Sequence, residues 1–209
     1  MASAVIHLAV AKEINQNLNM NEKELFLGTI APDISRQLGE TKVKGHFLPN
    51  ADTDIPILKN FLIKYGDKLT NSFIMGYYIH LFTDYLWWKY FIPEVTNNNN
   101  YIKLLNGNKI KCNNEEVAKI IYNDYSNLNI LLIEEYNLDL SLFYEEIEIP
   151  NIKFDEIPLD KLNIIVDKMG IIIENSRKGY TYSFNIDNVK QFIELCKEII
   201  GSDIRMRLK

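Results

Sequence analysis

Five side chains in the first half of the chain are of types that bind divalent metal ions. The chain has three histidines, His7, His46 and His80, while Asp84 lies within GYYIHLFTDYLWW and Asp33 ends GTIAPD. Neutral imidazole and carboxylate are ligands of zinc and related ions. Residues four apart share one face of a helix, so His80 and Asp84 can both bind one ion or each bind a different ion. Side chains on helices and on a loop could thus form a site for two ions that share a carboxylate.

The same residues also have ordinary structural interpretations. A histidine on an apolar helix face, such as His7, is typical of a buried imidazole bonded to a main-chain carbonyl. A His-x-x-x-Asp pair, such as His80 and Asp84, often forms only an orienting hydrogen bond, and Ala-Pro-Asp is often only a turn. Spacing alone therefore leaves metal binding and simple core packing both open.

The elements that must position these residues are predicted to be helices, because apolar residues recur at helical spacing along most of the chain. Residues 29–54 carry Pro and Gly at several positions and are predicted to be irregular. Residues 147–154 are predicted to be an extended linker, with a small strand pair as the alternative. The predicted helices are one capped by Ser3, one from Asn21 to Gly28, one within residues 55–69, one from Asn71 or Ser72 to Pro93, and those at Glu115–Tyr136, Leu140–Glu146, Leu159–Ser176 and Ile186–Ile200.

This pattern predicts an all-α fold with a single helical domain over residues 1–209. The metal-ligand motifs lie in residues 1–93, and the helices of residues 94–209 are predicted to be scaffold that closes over the first half. A length of 209 residues with 47% hydrophobic content suffices for one such core. The Asn-rich run between Thr96 and Tyr101 is expected in an exposed loop.

Composition argues against several classes of protein. The net charge of −5 gives no electrostatic footprint for long nucleic acid. Cys112 and Cys196 fit no metal-binding or redox spacing and are expected to be reduced thiols. The first residues lack the pattern of a secretory signal, and no stretch of about 18 residues is free of polar groups, so we expect no membrane span and a cytoplasmic location.

The order of these motifs resembles a known family. His7, GTIAPD, the His46-Phe47 pair and GYYIHLFTDYLW occur in the order seen in the zinc-dependent phospholipase C family, whose helical fold is shared with single-strand-specific zinc nucleases. The chain is most similar to short, non-secreted bacterial members with G-x-I-A-P-D and G-Y-x-x-H-L-x-T-D-x-L-W patterns. The resemblance covers Met1–Pro93.

The resemblance implies a role for each of the five residues. The positions matching Asp33, His46 and His80 bind one ion in that family, the position matching Asp84 bridges to a neighbouring ion, and the position matching His7 binds that neighbour. A hydroxide held between the ions attacks a phosphate ester. The position matching Asp33 is also a candidate general base.

The chain departs from the secreted enzymes of the family in two ways. Those enzymes bind a further ion with two more histidines, whereas this chain has no histidine after His80. They also use the amine and carbonyl of a mature N-terminal tryptophan as ligands. This chain starts Met1-Ala2, and the amine of either Met1 or, after removal of Met1, Ala2 is the corresponding expected ligand.

We therefore expect a metal-dependent hydrolase that acts on a phosphate ester through a metal-activated hydroxide. The alternative is a non-catalytic helical binding or regulatory protein that keeps a structural metal site. The expected cofactor is zinc, as one or two ions, with iron or manganese as alternatives. The expected partner is a small phosphorylated substrate or a phospholipid head group.

Five further residues are assigned less specific roles. Lys42 and Lys44 are expected either to be solvated or to contact a substrate phosphate. Asp54 is expected to cap the helix that follows it. Either Tyr78 or Tyr85 is a candidate for a position near the metal ions.

Overall fold

The all-α class is confirmed by a computed structural model, which describes residues 1–96 and 101–209. Residues 97–100, the core of the expected Asn-rich loop, lie outside the described residues. The helices are α1 Ala4–Asn15, α2 Glu22–Ile30, α3 Ile34–Gln37, α4 Leu58–Tyr65, α5 Ser72–Leu86, α6 Ile92–Val95, α7 Asn114–Glu135, α8 Leu162–Glu174 and α9 Ile186–Arg207. Short 3₁₀ turns occur at Ala31–Asp33, Gly66–Lys68, Ser141–Phe143 and Leu159–Lys161, and a π turn at Trp87–Phe91.

Helix α5 lies at the centre of the fold. Every residue of this helix except Tyr85 is buried, as expected for a helix that is apolar on all sides. It contacts α1, α2, α4 and α9, and α1 also contacts α7. The helices of the second half thus cover α1 and α5, which carry three of the candidate ligands.

Side-chain caps fix where the two ligand-bearing helices begin. Ser3 Oγ accepts a hydrogen bond from the main-chain nitrogen of Ile6 at 3.3 Å, as predicted for α1. Asn71 Oδ1 accepts from the main-chain nitrogen of Ile74 at 3.1 Å and starts α5. Because a capped start sets the phase of the helix that follows, both caps help determine which side chains face the core.

Helices α2 and α5 approach each other closely at two glycines. A Cβ atom on Gly28 would lie 2.0 Å from the carbonyl oxygen of Phe73, and one on Gly76 would lie 2.0 Å from that of Leu25. The prediction that Gly28 ends the second helix is therefore wrong, since α2 continues through Ile30. Gly28 allows α2 to pack closely against α5, and it does not end α2.

Several predicted boundaries were wrong for identifiable reasons. Residues 29–54 are not irregular throughout, because a 3₁₀ turn at Ala31–Asp33 leads directly into α3. Pro93 does not end the central helix. The chain passes through the π turn into α6, which has Pro93 in its first turn and ends at Val95. The predicted helix Leu140–Glu146 is reduced to a 3₁₀ turn.

Three other details concern connecting segments. Residues 147–154 form neither helix nor strand, which confirms the extended linker. A hairpin that the sequence did not predict pairs β1 Tyr101–Lys103 with β2 Lys109–Lys111 in antiparallel register. Asp54 is not a helix cap, because its Oδ2 accepts from the main-chain nitrogens of Asn50 and Ala51 within its own loop.

Within the described part of the chain, no helix combines the length and hydropathy needed to span a membrane.

Replacing Gly28 with alanine tests the close contact between α2 and α5. The added methyl group would overlap the Phe73 carbonyl, which is main chain and has no alternative rotamer. We expect the free energy of unfolding to fall by about 3 kcal/mol, measured by urea unfolding with far-UV circular dichroism.

The matched control is Gly66→Ala. A Cβ atom on Gly66 would meet only the Leu62 side chain at 3.9 Å, and the Gly66 backbone already has a helical φ of −61°. This variant should change stability by at most about 1 kcal/mol, in the stabilising direction. Equal stability of the wild type and Gly28→Ala would contradict the contact.

Candidate metal centre

His80 is held by the contact between α2 and α5. Its Nδ1 lies 2.7 Å from the main-chain oxygen of Thr29 in α2. A carbonyl oxygen only accepts, so Nδ1 carries the proton and donates. In the neutral ring the lone pair is therefore on Nε2. Outer hydrogen bonds of this kind orient metal-binding histidines and fix their tautomer.

His46 reaches the same place from the loop between α3 and α4. Tyr77 Oη in α5 donates to the main-chain oxygen of Gly45 at 2.5 Å, and Phe47 adopts a left-handed φ of 53°. These features hold the loop against α5 and bury His46 completely. His46 Nε2 lies 3.2 Å from His80 Nε2. The two rings thus direct nitrogens at the same small volume.

His7 completes the group of rings from helix α1. Its ring stacks on His80, with centroids 3.9 Å apart and planes inclined by 10°. His7 Nε2 lies 3.2 Å from Asp84 Oδ1, yet the two atoms are not aligned as a hydrogen bond. The expected ordinary role for His7, an imidazole bonded to a main-chain carbonyl, is absent among the described residues.

Asp84 lies between the histidines. Its Oδ1 faces His7 and accepts from the main-chain nitrogen of Ala2 at 3.1 Å. Its Oδ2 is 3.5 Å from His80 Nε2 and 3.9 Å from His46 Nε2. Since its two oxygens face different histidines, Asp84 has the geometry of a bridging carboxylate.

Asp33 forms the side of the cluster nearest to solvent. It lies at the junction of the 3₁₀ turn and α3, and 17% of its side chain is exposed. Its Oδ1 is 3.6 Å from His46 Nε2 and 2.9 Å from Lys42 Nζ. The structure therefore brings all five predicted residues together.

The spacing of the donor atoms matches the ligand shell of a metal ion. Two atoms bound at about 2.0–2.2 Å to one tetrahedral ion lie about 3.3–3.6 Å apart. The shortest separations among the rings and carboxylates described above run from 3.2 to 3.6 Å. Two overlapping groups, His7–His80–Asp84 and Asp33–His46–His80, each have ligand atoms within 4.8 Å of one another.

Several of these atoms lack a hydrogen-bond partner. Both ring nitrogens of His7, Nδ1 of His46 and Oδ2 of Asp84 are buried and have no partner among the described residues. Each such atom costs about 1–3 kcal/mol of desolvation unless a ligand compensates. The donor set therefore fits a bound cation better than a closed hydrogen-bond network.

The pKa values of two imidazoles and of both carboxyls in the cluster are lowered, for different physical reasons. Burial and the adjacent His80 lower the pKa of His7 from 6.5 to about 4. Burial also lowers the pKa of His46. Burial opposes ionisation of Asp84 and Asp33, but the neighbouring imidazoles, and Lys42 in the case of Asp33, hold the pKa of each carboxyl well below its usual value. At neutral pH His7 and His46 are thus neutral imidazoles and both aspartates are carboxylates, the ionisation states that bind metal.

Lys42 was only partly anticipated from the sequence. It is 5% exposed, so the expectation that it is solvated is wrong, whereas Lys44 is exposed. Its main-chain nitrogen donates to Asp52 Oδ1 at 2.8 Å, which fixes the loop before His46. Nothing in the local sequence distinguishes Lys42 from Lys44, because only the folded loop directs one of them inward.

Neither of the two predicted tyrosines is the one that contacts the first residues of the chain beside the site. Tyr125 Oη in α7 donates to the main-chain oxygen of Met1 at 2.7 Å. Tyr78 Oη donates instead to Asp203 Oδ2, and Tyr85 contacts Lys89 on the other side of α5. Tyr125 comes from the second half of the chain, where the sequence carried no signal for it.

Comparisons with protein-family models, curated proteins and solved structures give no match. The resemblance to zinc-dependent phospholipases C therefore stays a prediction that rests on the order of the motifs. The convergence of the five side chains does not depend on that resemblance, because their separations are a feature of the fold.

The metal-free protein should lose stability as the pH falls from about 6.5 to about 4. His7 takes up its proton near pH 6.5 when unfolded but only near pH 4 when folded. Its stabilising contribution is therefore complete above pH 6.5 and lost on acidification, up to about 3 kcal/mol. Urea unfolding in the presence of a chelator, at several pH values in this range, measures the loss.

The variant His7→Gln should show a smaller loss over the same pH range, because it lacks the imidazole whose pKa burial lowers to about 4. Only the change with pH is compared, so a lower absolute stability of the variant does not matter. A free energy of unfolding that is independent of pH in this range, or an identical slope in the variant, would contradict the burial of neutral His7.

Proposed function

We propose that the protein is a metal-dependent hydrolase of phosphate esters. The observation that carries the proposal is the convergence of three imidazoles and two carboxylates at separations of 3.2 to 3.6 Å, with several of their atoms buried and unpartnered. Zinc is the favoured ion for this mixture of nitrogen and oxygen donors, with iron or manganese as alternatives. The motif order and the all-α class support a fold like that of the zinc-dependent phospholipases C.

The ligands divide into two groups around Asp84. Asp33, His46 and His80 would hold one ion, while His7 would hold the second. Asp84 would contribute one oxygen to each ion, since its Oδ1 faces His7 and its Oδ2 faces the other two histidines. The first ion would then have four protein ligands, as in a closed structural site, whereas the second would have only His7 and one Asp84 oxygen. The second ion would keep positions open for water and substrate, which supports catalysis over a purely structural role.

Bound divalent ions supply an activated water and positive charge against phosphoryl oxygens. The chain's own residues supply the remaining functions. Asp33 faces the solvent-accessible side of the cluster and is the candidate general base. Lys42, held 2.9 Å from Asp33, brings a buried positive charge to the position where the phosphoryl group of a substrate would lie. The Thr29 carbonyl keeps His80 Nε2 free to coordinate.

The net charge of the protein limits the class of substrate that we propose. A net charge of −5 disfavours long nucleic acid, so the proposed substrate is a small phosphorylated molecule or a phospholipid head group. A cytoplasmic location stays a prediction. The non-catalytic alternative, a protein that keeps the ions only for structure, predicts metal binding without turnover.

Metal analysis and hydrolysis assays of Asp84→Asn test the proposal. We expect the wild type to carry at least one zinc, iron or manganese ion per chain, and to hydrolyse small phosphate esters in a reaction that a chelator abolishes. Asp84→Asn should lose bound metal and at least about 100-fold in kcat/KM, because removing a ligand costs more than removing an outer-shell partner. Elemental analysis and phosphate release measure the two effects.

Asp167→Asn is the matched control. Asp167 lies on the exposed face of α8, away from the cluster, and the substitution makes the same change of charge. This variant should keep both metal and activity. Full metal occupancy without hydrolysis of any phosphate ester, together with a large fall in melting temperature on chelation, would favour the structural alternative.

A further inference from the structure

A cavity of about 500 Å³ opens on the solvent side of the cluster, beside Asp33 and Lys42. This volume falls within the range of small-molecule sites, about 300–1,000 Å³. The first residues of the chain, helix α3, helix α7 and helix α8 line it. A phosphate ester whose phosphoryl group lay at the metal ions would therefore extend its remaining part into this cavity.

Positive charge dominates the wall of the cavity. Arg36, Lys42 and Lys168 line it, while Asp33 is the one acidic residue among the described residues of the lining. Lys42 is paired with Asp33. Arg36 and Lys168 belong to no ion pair within residues 1–96 and 101–209, so both charges are available to a ligand.

Arg36 is held towards the cavity. It lies one turn after Asp33, so the candidate metal ligand and the guanidinium share one side of the same helical segment. Its Nη1 donates to Tyr122 Oη at 2.9 Å, and its guanidinium carbon lies 5.9 Å from the centre of the Tyr122 ring. One of the five N–H donors is used in this way, which leaves the others for a carboxylate or phosphate.

Lys168 lies next to an apolar part of the same wall. Met169, Ile172 and Ile173 follow it on α8 and also line the cavity. A ligand there meets hydrocarbon on one side and cationic groups on the other. That combination suits an organic group bearing a negative charge and disfavours a cationic group, because like charges repel.

We propose that this cavity selects phosphate esters whose leaving group carries a second anion, either a carboxylate or another phosphate. Arg36 and Lys168 bind that second anion, and the apolar residues of α8 contact the carbon skeleton between the two charged ends. The inference rests on the proposed hydrolase function, since it places the first phosphoryl group at the metal ions. A choline-type head group would be a poor substrate.

Three phosphonates that cannot be hydrolysed test the selection. Benzylphosphonate, 4-carboxybenzylphosphonate and para-xylylenediphosphonate share one ring and differ only in the group opposite the phosphonate. Isothermal titration to the metal-loaded protein should show at least about tenfold tighter binding for the two ligands with a second anion. Whichever of these two ligands binds more tightly shows whether the cavity prefers a carboxylate or a phosphate-like group as the second anion.

Variants assign the preference to the cavity. Arg36→Gln and Lys168→Gln should each remove most of the preference, and both positions are exposed, so folding should persist. Lys161→Gln makes the same charge change at the start of α8, outside the cavity, and should keep the preference. Equal binding of the three phosphonates, no detectable binding of any, or a preference unchanged in both cavity variants would overturn the inference.

Hydrolysis assays separate this failure from failure of the proposed function. Phenyl phosphate and 4-carboxyphenyl phosphate are compared by kcat/KM. Turnover of both at equal efficiency would retain the hydrolase and refute the anion preference. A preference among phosphonates without turnover of either ester would retain the anion-binding cavity and refute the hydrolase.

Discussion

The hydrogen bond from His80 Nδ1 to the carbonyl oxygen of Thr29 is the interaction on which the site depends. It exists because α2 and α5 meet at Gly28 and Gly76, close enough that neither position accommodates a Cβ atom. The bond fixes the tautomer of His80 and leaves Nε2 without a proton. The rings of His7 and His46 are both arranged around that nitrogen. The packing of two apolar helices thus determines the chemistry of the centre.

The candidate centre is a polar cluster buried among apolar helices, and its location has an energetic consequence. Buried imidazole and carboxylate atoms without partners reduce stability, by about 1–3 kcal/mol each. Metal ions would offset part of this loss, since two of these atoms, His7 Nε2 and Asp84 Oδ2, lie at separations suitable for ligands. Among the described residues of the cluster, Asp33 is the most exposed, and it faces the cavity lined by Arg36 and Lys168. A substrate would therefore approach through this cavity.

Much of the first half could be predicted from the sequence, for physical reasons. Helical periodicity and polar caps are local signals, so the starts of α1 and α5 and the shared face of His80 and Asp84 were predictable. Convergence of Asp33 and His46 was expected only from motif order, because the loop between them has no period. Its course depends on the bond from Tyr77 to Gly45 and on the left-handed Phe47.

Other features depend on tertiary contacts that leave no local signal. Gly28 was interpreted as a helix end, although its role is close packing against Phe73. Tyr125 reaches the site from α7, more than a hundred residues after the segment it contacts. The inward direction of Lys42 depends on Asp52, which holds its main chain. Each of these requires the folded neighbours to be known.

Anomalous X-ray diffraction from crystals grown with zinc or manganese would test the metal centre directly. We expect anomalous peaks within about 2.5 Å of His80 Nε2 and of both Asp84 oxygens, with His7, His46 and Asp33 completing the shells. Absence of any peak there, with His46 and His80 bonded directly to each other in a closed cluster, would contradict metal binding and leave only a helical protein with a polar core.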